Sequence, residues 1–191
     1  MYRLTQDDID WIDKNVYESP MSIKDFKSVT FQNTHIQQFQ QTPPNWKARF
    51  DSPHRWIGQI GEAAFKKYME VTKREVEDKT KIGASWVDFE YPKRNWKIDV
   101  KTVGTKLRPT LDYACDVDED QEKENKEANV YVFCRYVFDE KRVYVLGFIQ
   151  RERFHREAIF RKAGEAITPS FTPVKNFYEI PIYKLEKMET L

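Results

Sequence analysis

The chain has 191 residues, 40% hydrophobic and 33% charged, with a formal net charge of +1. That length supports one domain with a sizeable core. No apolar run approaches the roughly 20 residues that span a bilayer, so no membrane-crossing helix is expected.

The stretch 1–15 is too polar for a secretory signal peptide. Cys115 and Cys134 form no CxxC pair, so the expectation is a cytoplasmic protein with reduced thiols and no cysteine zinc site. The near-neutral total hides an uneven distribution. Basic residues predominate over 43–74, whereas 116–127 holds seven carboxylates against two lysines.

In chain order, Thr5 with Asp8 resembles a capping box opening a helix over 6–15. A second helix is expected over 22–40, although Val29, Thr30 and Phe31 favour extended chain, and Pro43-Pro44 ends it. The clearest helix spans 54–71, where Ile57, Ile60, Ala64 and Tyr68 make an apolar stripe. Strands over 84–91 and 95–103 flank Pro92-Lys93-Arg94 and predict an antiparallel hairpin. A second hairpin is expected from 129–138 and 142–149 around Asp139-Glu140-Lys141. A helix over 151–162 closed by Gly164, a strand over 176–182 and a short C-terminal helix complete the chain. The order predicts an α/β (α+β) layered fold: a helical N-terminal extension over 1–50 on a core over 51–191, a single domain overall.

The run Asn95–Gly104 raises a chemical question. Its apolar residues suit a strand packed on a core, and alternation sends Asp99 and Lys101 together to one face. In a hairpin turning near residue 93, positions summing to 186–187 face each other, which brings Asp88 opposite Asp99. Two carboxylates so placed repel unless a cation lies between them. Mg²⁺ or Mn²⁺ meets that need with oxygen ligands from Asp88 and Asp99, the carbonyl of Val100, and Glu62 from the 54–71 helix. Lys101 then reaches the same side. The alternative is a structural ion-pair cluster.

Glu62, Asp88 and Asp99-Val100-Lys101, in that order on those elements, resemble the PD-(D/E)xK nuclease superfamily, the restriction-endonuclease-like fold. The resemblance covers 54–182, and Val87 stands where the pattern has proline. It is similar in general shape to small phage or bacterial nucleases. It implies an αβββαβ core with a mixed central sheet flanked by helices. It also implies a nuclease, endonuclease or exonuclease, with DNA as its partner and Mg²⁺ or Mn²⁺ as cofactor, acting in a bacterial or phage-infected cytoplasm. Glu62, Asp88, Asp99 and Lys101 are the implied catalytic residues, with Lys101 positioning the attacking water and a 5′-phosphate as product. Two alternatives stand beside this reading: a non-catalytic nucleic-acid-binding or partner-binding module, and a homodimeric junction resolvase.

Lys47, Arg49, His54, Arg55 and Gln59, interleaved with Trp46 and Trp56, are candidates for nucleic-acid contact, bases for phosphates and rings for stacking. Asp116, Asp118, Asp120, Glu122 and Glu127 match the spacing of a calcium loop, but Gln121 replaces its turn glycine. The stretch therefore reads as a solvated acidic loop. His35 and His155 match no triad with either cysteine and receive no catalytic role.

Overall fold

The computed structural model describes residues 17–19, 53–80, 87–125, 127–138, 142–168 and 171–191. Its elements in chain order are β1 (Tyr17–Ser19), α1 (Pro53–Val71), β2 (Glu77–Asp78), β3 (Phe89–Tyr91), β4 (Trp96–Thr105), β5 (Ala114–Asp118), α2 (Glu119–Glu124), β6 (Val130–Val137), β7 (Arg142–Gln150), α3 (Arg151–Glu157), β8 (Ile159–Arg161) and β9 (Phe177–Pro181). The mixture of helices with a mixed sheet is the α+β class expected from the sequence.

α1 forms where its apolar stripe predicts, and Pro53 suits its first turn because the missing N–H has no helical partner there. Phe65 and Met69 broaden the buried stripe of Ile57, Ile60, Ala64 and Tyr68.

Both hairpins form. β3 and β4 pair antiparallel with Phe89 opposite Ile98 and Tyr91 opposite Trp96, the register the turn predicts. The turn is one 3₁₀ turn, Pro92–Arg94, after which Asn95 takes a left-handed conformation (φ 53°) that asparagine tolerates. β6 and β7 pair antiparallel from Val130–Gln150 to Val137–Arg142. β4 and β6 run parallel, which demands a long crossover. The chain between them, 106–129, supplies β5 and α2. The central sheet has the order β1-β7-β6-β4-β3-β2, and a second sheet has the order β5-β9-β8.

Alternation along β6 divides the core in two. Val130, Val132, Cys134 and Tyr136 face α1. Tyr131, Phe133 and Val137 face the second sheet and α3, where they meet Cys115, Val117, Phe154 and Ile180. A bulge opposite Phe133 and Cys134 inverts the parity of β7. Val143 and Val145 therefore share one face with Phe148, while Tyr144 and Leu146 share the other with Ile149.

Four expectations are corrected. The acidic stretch 116–127 is not a solvated loop. It holds the end of β5 and all of α2, and it buries Glu122 and Asn125. Cys115 and Val117 alternate inward, a strand signal masked by the surrounding carboxylates. The helix expected over 151–162 ends at Glu157. β-branched Ile159 and aromatic Phe160 suit the strand β8 that pairs with β9, and Gly164 takes its positive φ in a later turn. The expected C-terminal helix is two 3₁₀ turns, Ile182–Lys184 and Met188–Thr190, which carry Ile182 and Met188 into the core. Finally, one face of the central sheet is covered chiefly by the second sheet, with helix α3 beside it, so helices alone do not flank it.

Residues 6–15 and 22–40 lie outside the described residues. Between them Tyr17–Ser19 adds an edge strand beside β7. Among the described residues no helix is long and apolar enough to cross a membrane.

Candidate active site

Ile98 and Val100 of β4 pack against α1, so alternation turns Asp99 and Lys101 to the opposite face. Asp99 is buried, and its Oδ2 lies 2.8 Å from Lys101 Nζ. The ion pair considered from the sequence is therefore present.

Asp88 lies where β3 parts from β4. Its N–H donates to the Ile98 carbonyl at 2.9 Å. One step further along β4, the side chain takes over from the backbone ladder: Asp88 Oδ2 accepts from the Val100 N–H at 2.7 Å. This bond fixes the Asp88 carboxylate beside the strand that carries Asp99 and Lys101.

Glu62 reaches the same region through a close helix–sheet contact. A Cβ on Gly61 would lie 1.8 Å from Thr102 Oγ1, so only glycine lets α1 approach β4 this closely. Burial pushes the Asp88 carboxyl well above the usual carboxylate range, and the charges of Glu62 and Asp99 push it further. The Val100 N–H and the Lys101 ammonium partly offset this. The charges of Glu62, Asp99 and Lys101 thus all act on Asp88.

Sequence reasoning missed Asn125. Its Nδ2 donates to Asp99 Oδ2 at 2.7 Å, and it is almost fully buried. It also missed the role of Glu122. This buried carboxylate accepts from Arg151 Nε at 2.6 Å and from the Tyr131 hydroxyl, and it lies 2.6 Å from His155 Nε2. No motif marks either residue; Asn125 interrupts the acidic run, but so do Gln121, Lys123 and Lys126.

Among the described residues, no three His, Cys, Asp or Glu side chains are gathered closely enough to hold a metal ion. The donor chemistry nevertheless fits Mg²⁺ or Mn²⁺. The donors are all oxygen, and the carboxylate charges that raise Asp88 are what a cation would relieve. Magnesium commonly takes one or two protein carboxylates and keeps several waters. Asp88 and Asp99 suit direct ligation, Glu62 ligation through water, and Val100 offers its carbonyl.

The candidate nucleic-acid contacts are not brought to the site by any described side chain. Lys47 and Arg49 lie outside the described residues. His54, Arg55 and Gln59 lie on α1, with side chains outside the described set. A cleft of about 550 Å³ opens elsewhere, lined by Trp96, Asn129, Gln150, Arg151 and His155 among others. None of Glu62, Asp88, Asp99 and Lys101 lines it. Comparison with protein families, curated proteins and solved structures returns no match to this chain.

Proposed function

We propose that this protein is a metal-dependent nuclease that hydrolyses phosphodiester bonds, with DNA as its substrate. One observation carries the reading: the Asp88 side chain is bonded to the β4 backbone at Val100, between Asp99 and Lys101. A purely structural ion pair between Asp99 and Lys101 has no need of a second carboxylate there. The element order supports it as well. α1, three antiparallel strands β2–β3–β4, α2 and then β6 parallel to β4 are similar to the αβββαβ sequence that the resemblance implies, allowing for one extra strand, β5, which lies between β4 and α2 and joins the second sheet.

A divalent cation bound there would supply Lewis acidity toward the scissile phosphate and would lower the pKa of a water. Asp88 and Asp99 would hold it, with Glu62 acting through water. The Lys101 ammonium, kept in place by Asp99, orients the attacking water and offers positive charge to the phosphate oxygens. In-line attack of that water on phosphorus breaks the P–O3′ bond and leaves a 5′-phosphate and, once the 3′-oxygen is protonated, a 3′-hydroxyl.

The non-catalytic binding module has one observation in its favour, the 2.8 Å contact that already neutralises Asp99 with Lys101. Incubation of supercoiled plasmid with the protein separates the two. Nicking or linearisation in Mg²⁺ or Mn²⁺ that EDTA abolishes is expected. Intact plasmid in both metals, with retained DNA binding, would favour the module. A panel of linear, single-stranded and four-way-junction DNA then tests the dimeric junction resolvase.

A further inference from the structure

Asn125 ends α2, where its N–H donates to the Gln121 carbonyl at 2.8 Å. Its side chain is engaged at both ends. Oδ1 accepts from the Ala128 N–H at 3.1 Å, and Nδ2 donates to Asp99 Oδ2 at 2.7 Å. The Ala128 bond settles which end of the amide meets Asp99. Reversed, a carbonyl oxygen would face a carboxylate oxygen and an NH₂ would face an N–H.

The platform beneath Asn125 is itself fixed. Glu122, one turn earlier on α2, accepts from Arg151 and Tyr131 and lies against His155, while Arg151 Nη2 also donates to the Glu122 carbonyl at 2.7 Å. Charge-assisted bonds of this kind to a buried carboxylate are strong and directional. Asn125 is thus held to α3 and β6, while its amide reaches across to β4.

We propose that Asn125 is a positioning residue that presets the Asp99 carboxylate for a divalent cation. This rests on the nuclease reading above. Asp99 Oδ2 takes two donors from different elements, the Asn125 amide and the Lys101 ammonium, which leaves Oδ1 as the oxygen for the ion. Mg²⁺ demands near-ideal geometry and dehydrates reluctantly, so a carboxylate already oriented costs less to engage.

The test is Mn²⁺ titration of the full chain by calorimetry without DNA, on wild type, Asn125→Ser and Asn125→Ala. Serine can still accept from the Ala128 N–H, as it does in asparagine-like turns, but it is too short to reach Asp99. Thermal melts without metal report folding; the serine variant should melt near wild type and yet bind Mn²⁺ about tenfold more weakly. In an Asp99→Asn background the serine substitution should add little, because the bond it removes no longer serves a carboxylate. Wild type that binds Mn²⁺ beside a folded serine variant of equal affinity overturns this inference alone. So does weakening of equal size in the Asp99→Asn background. Wild type that takes up no Mn²⁺ and cuts no DNA overturns the nuclease reading and the inference with it.

Discussion

Asp99 and Tyr131 are register partners across the parallel β4–β6 pair, and one short segment grips both. Asn125 donates to Asp99, and Glu122 accepts from the Tyr131 hydroxyl. The α2 segment therefore ties the two central strands together on the face away from α1. It joins the candidate site to α3 through Arg151 and His155.

Glu122 is the member whose removal should be felt most in stability. Glu122→Ala leaves Arg151 and the Tyr131 hydroxyl without their buried acceptor. Breaking a buried pair by deleting one partner costs about 3 kcal/mol or more. Urea unfolding of the metal-free protein measures this, and a loss below about 1 kcal/mol would show that the cluster is solvated.

Gly61 tests how α1 is seated. Gly61→Ala drives a methyl into Thr102, and overpacking of this kind costs about 1–3 kcal/mol. Thr102 Oγ1 is buried with no hydrogen-bond partner among the described residues, so removing it sacrifices little. Thr102→Ala should accordingly restore part of the stability lost by Gly61→Ala. Cleavage should recover in parallel, because Glu62 is the next residue on α1. Additive losses in the double variant would refute this account of the contact.

How far the sequence reveals these features follows from their range. α1 and both hairpins were legible because their signals are local: a 3.6-residue stripe and turn residues between alternating strands. The same alternation placed Asp99 and Lys101 on one face, and the hairpin register put Asp88 beside them. Asn125 was not legible, because 26 residues separate it from Asp99 and only the crossover from β4 to β6 closes that distance. Glu122 sits in a run whose average charge announces solvent, although Val117, Glu122 and Asn125 within it point inward. β8 was hidden by the helical spacing of the Arg151–Glu157 stretch immediately before it.

The second sheet carries a like-charge pair that pH should expose. Asp116 on β5 lies directly opposite Glu179 on β9. Burial raises the Asp116 carboxyl above its ordinary 3.8, with Arg135 opposing and Asp118 and Glu179 reinforcing the shift. A raised carboxyl binds its proton more tightly in the folded state. Its contribution is complete below the unfolded value and is lost as pH rises through the folded one. Asp116→Asn should therefore raise Tm at pH 7 by about 2 °C, with the advantage vanishing on acidification below pH 4. An advantage that is constant across this range would assign the effect to something other than titration.

Lys101→Arg separates an ion pair from a catalytic group. Lys101 Nζ contacts Asp99 Oδ2 at 2.8 Å, and its side chain is largely buried. If that contact only neutralises charge, arginine keeps the charge and can replace lysine beside one carboxylate. If the ammonium orients a water, arginine fails, because guanidinium is planar, bulkier and essentially never deprotonated. It cannot stand where a compact ammonium shares Asp99 Oδ2 with Asn125. DNA and Mn²⁺ binding should survive, so the loss falls on the chemical step. Proton transfer and water activation by a placed side chain are commonly worth roughly 10²–10⁴-fold. Single-turnover cleavage at saturating Mg²⁺ should therefore slow at least about a hundredfold in Lys101→Arg, while a rate within a few-fold of wild type would reduce Lys101 to the partner of Asp99.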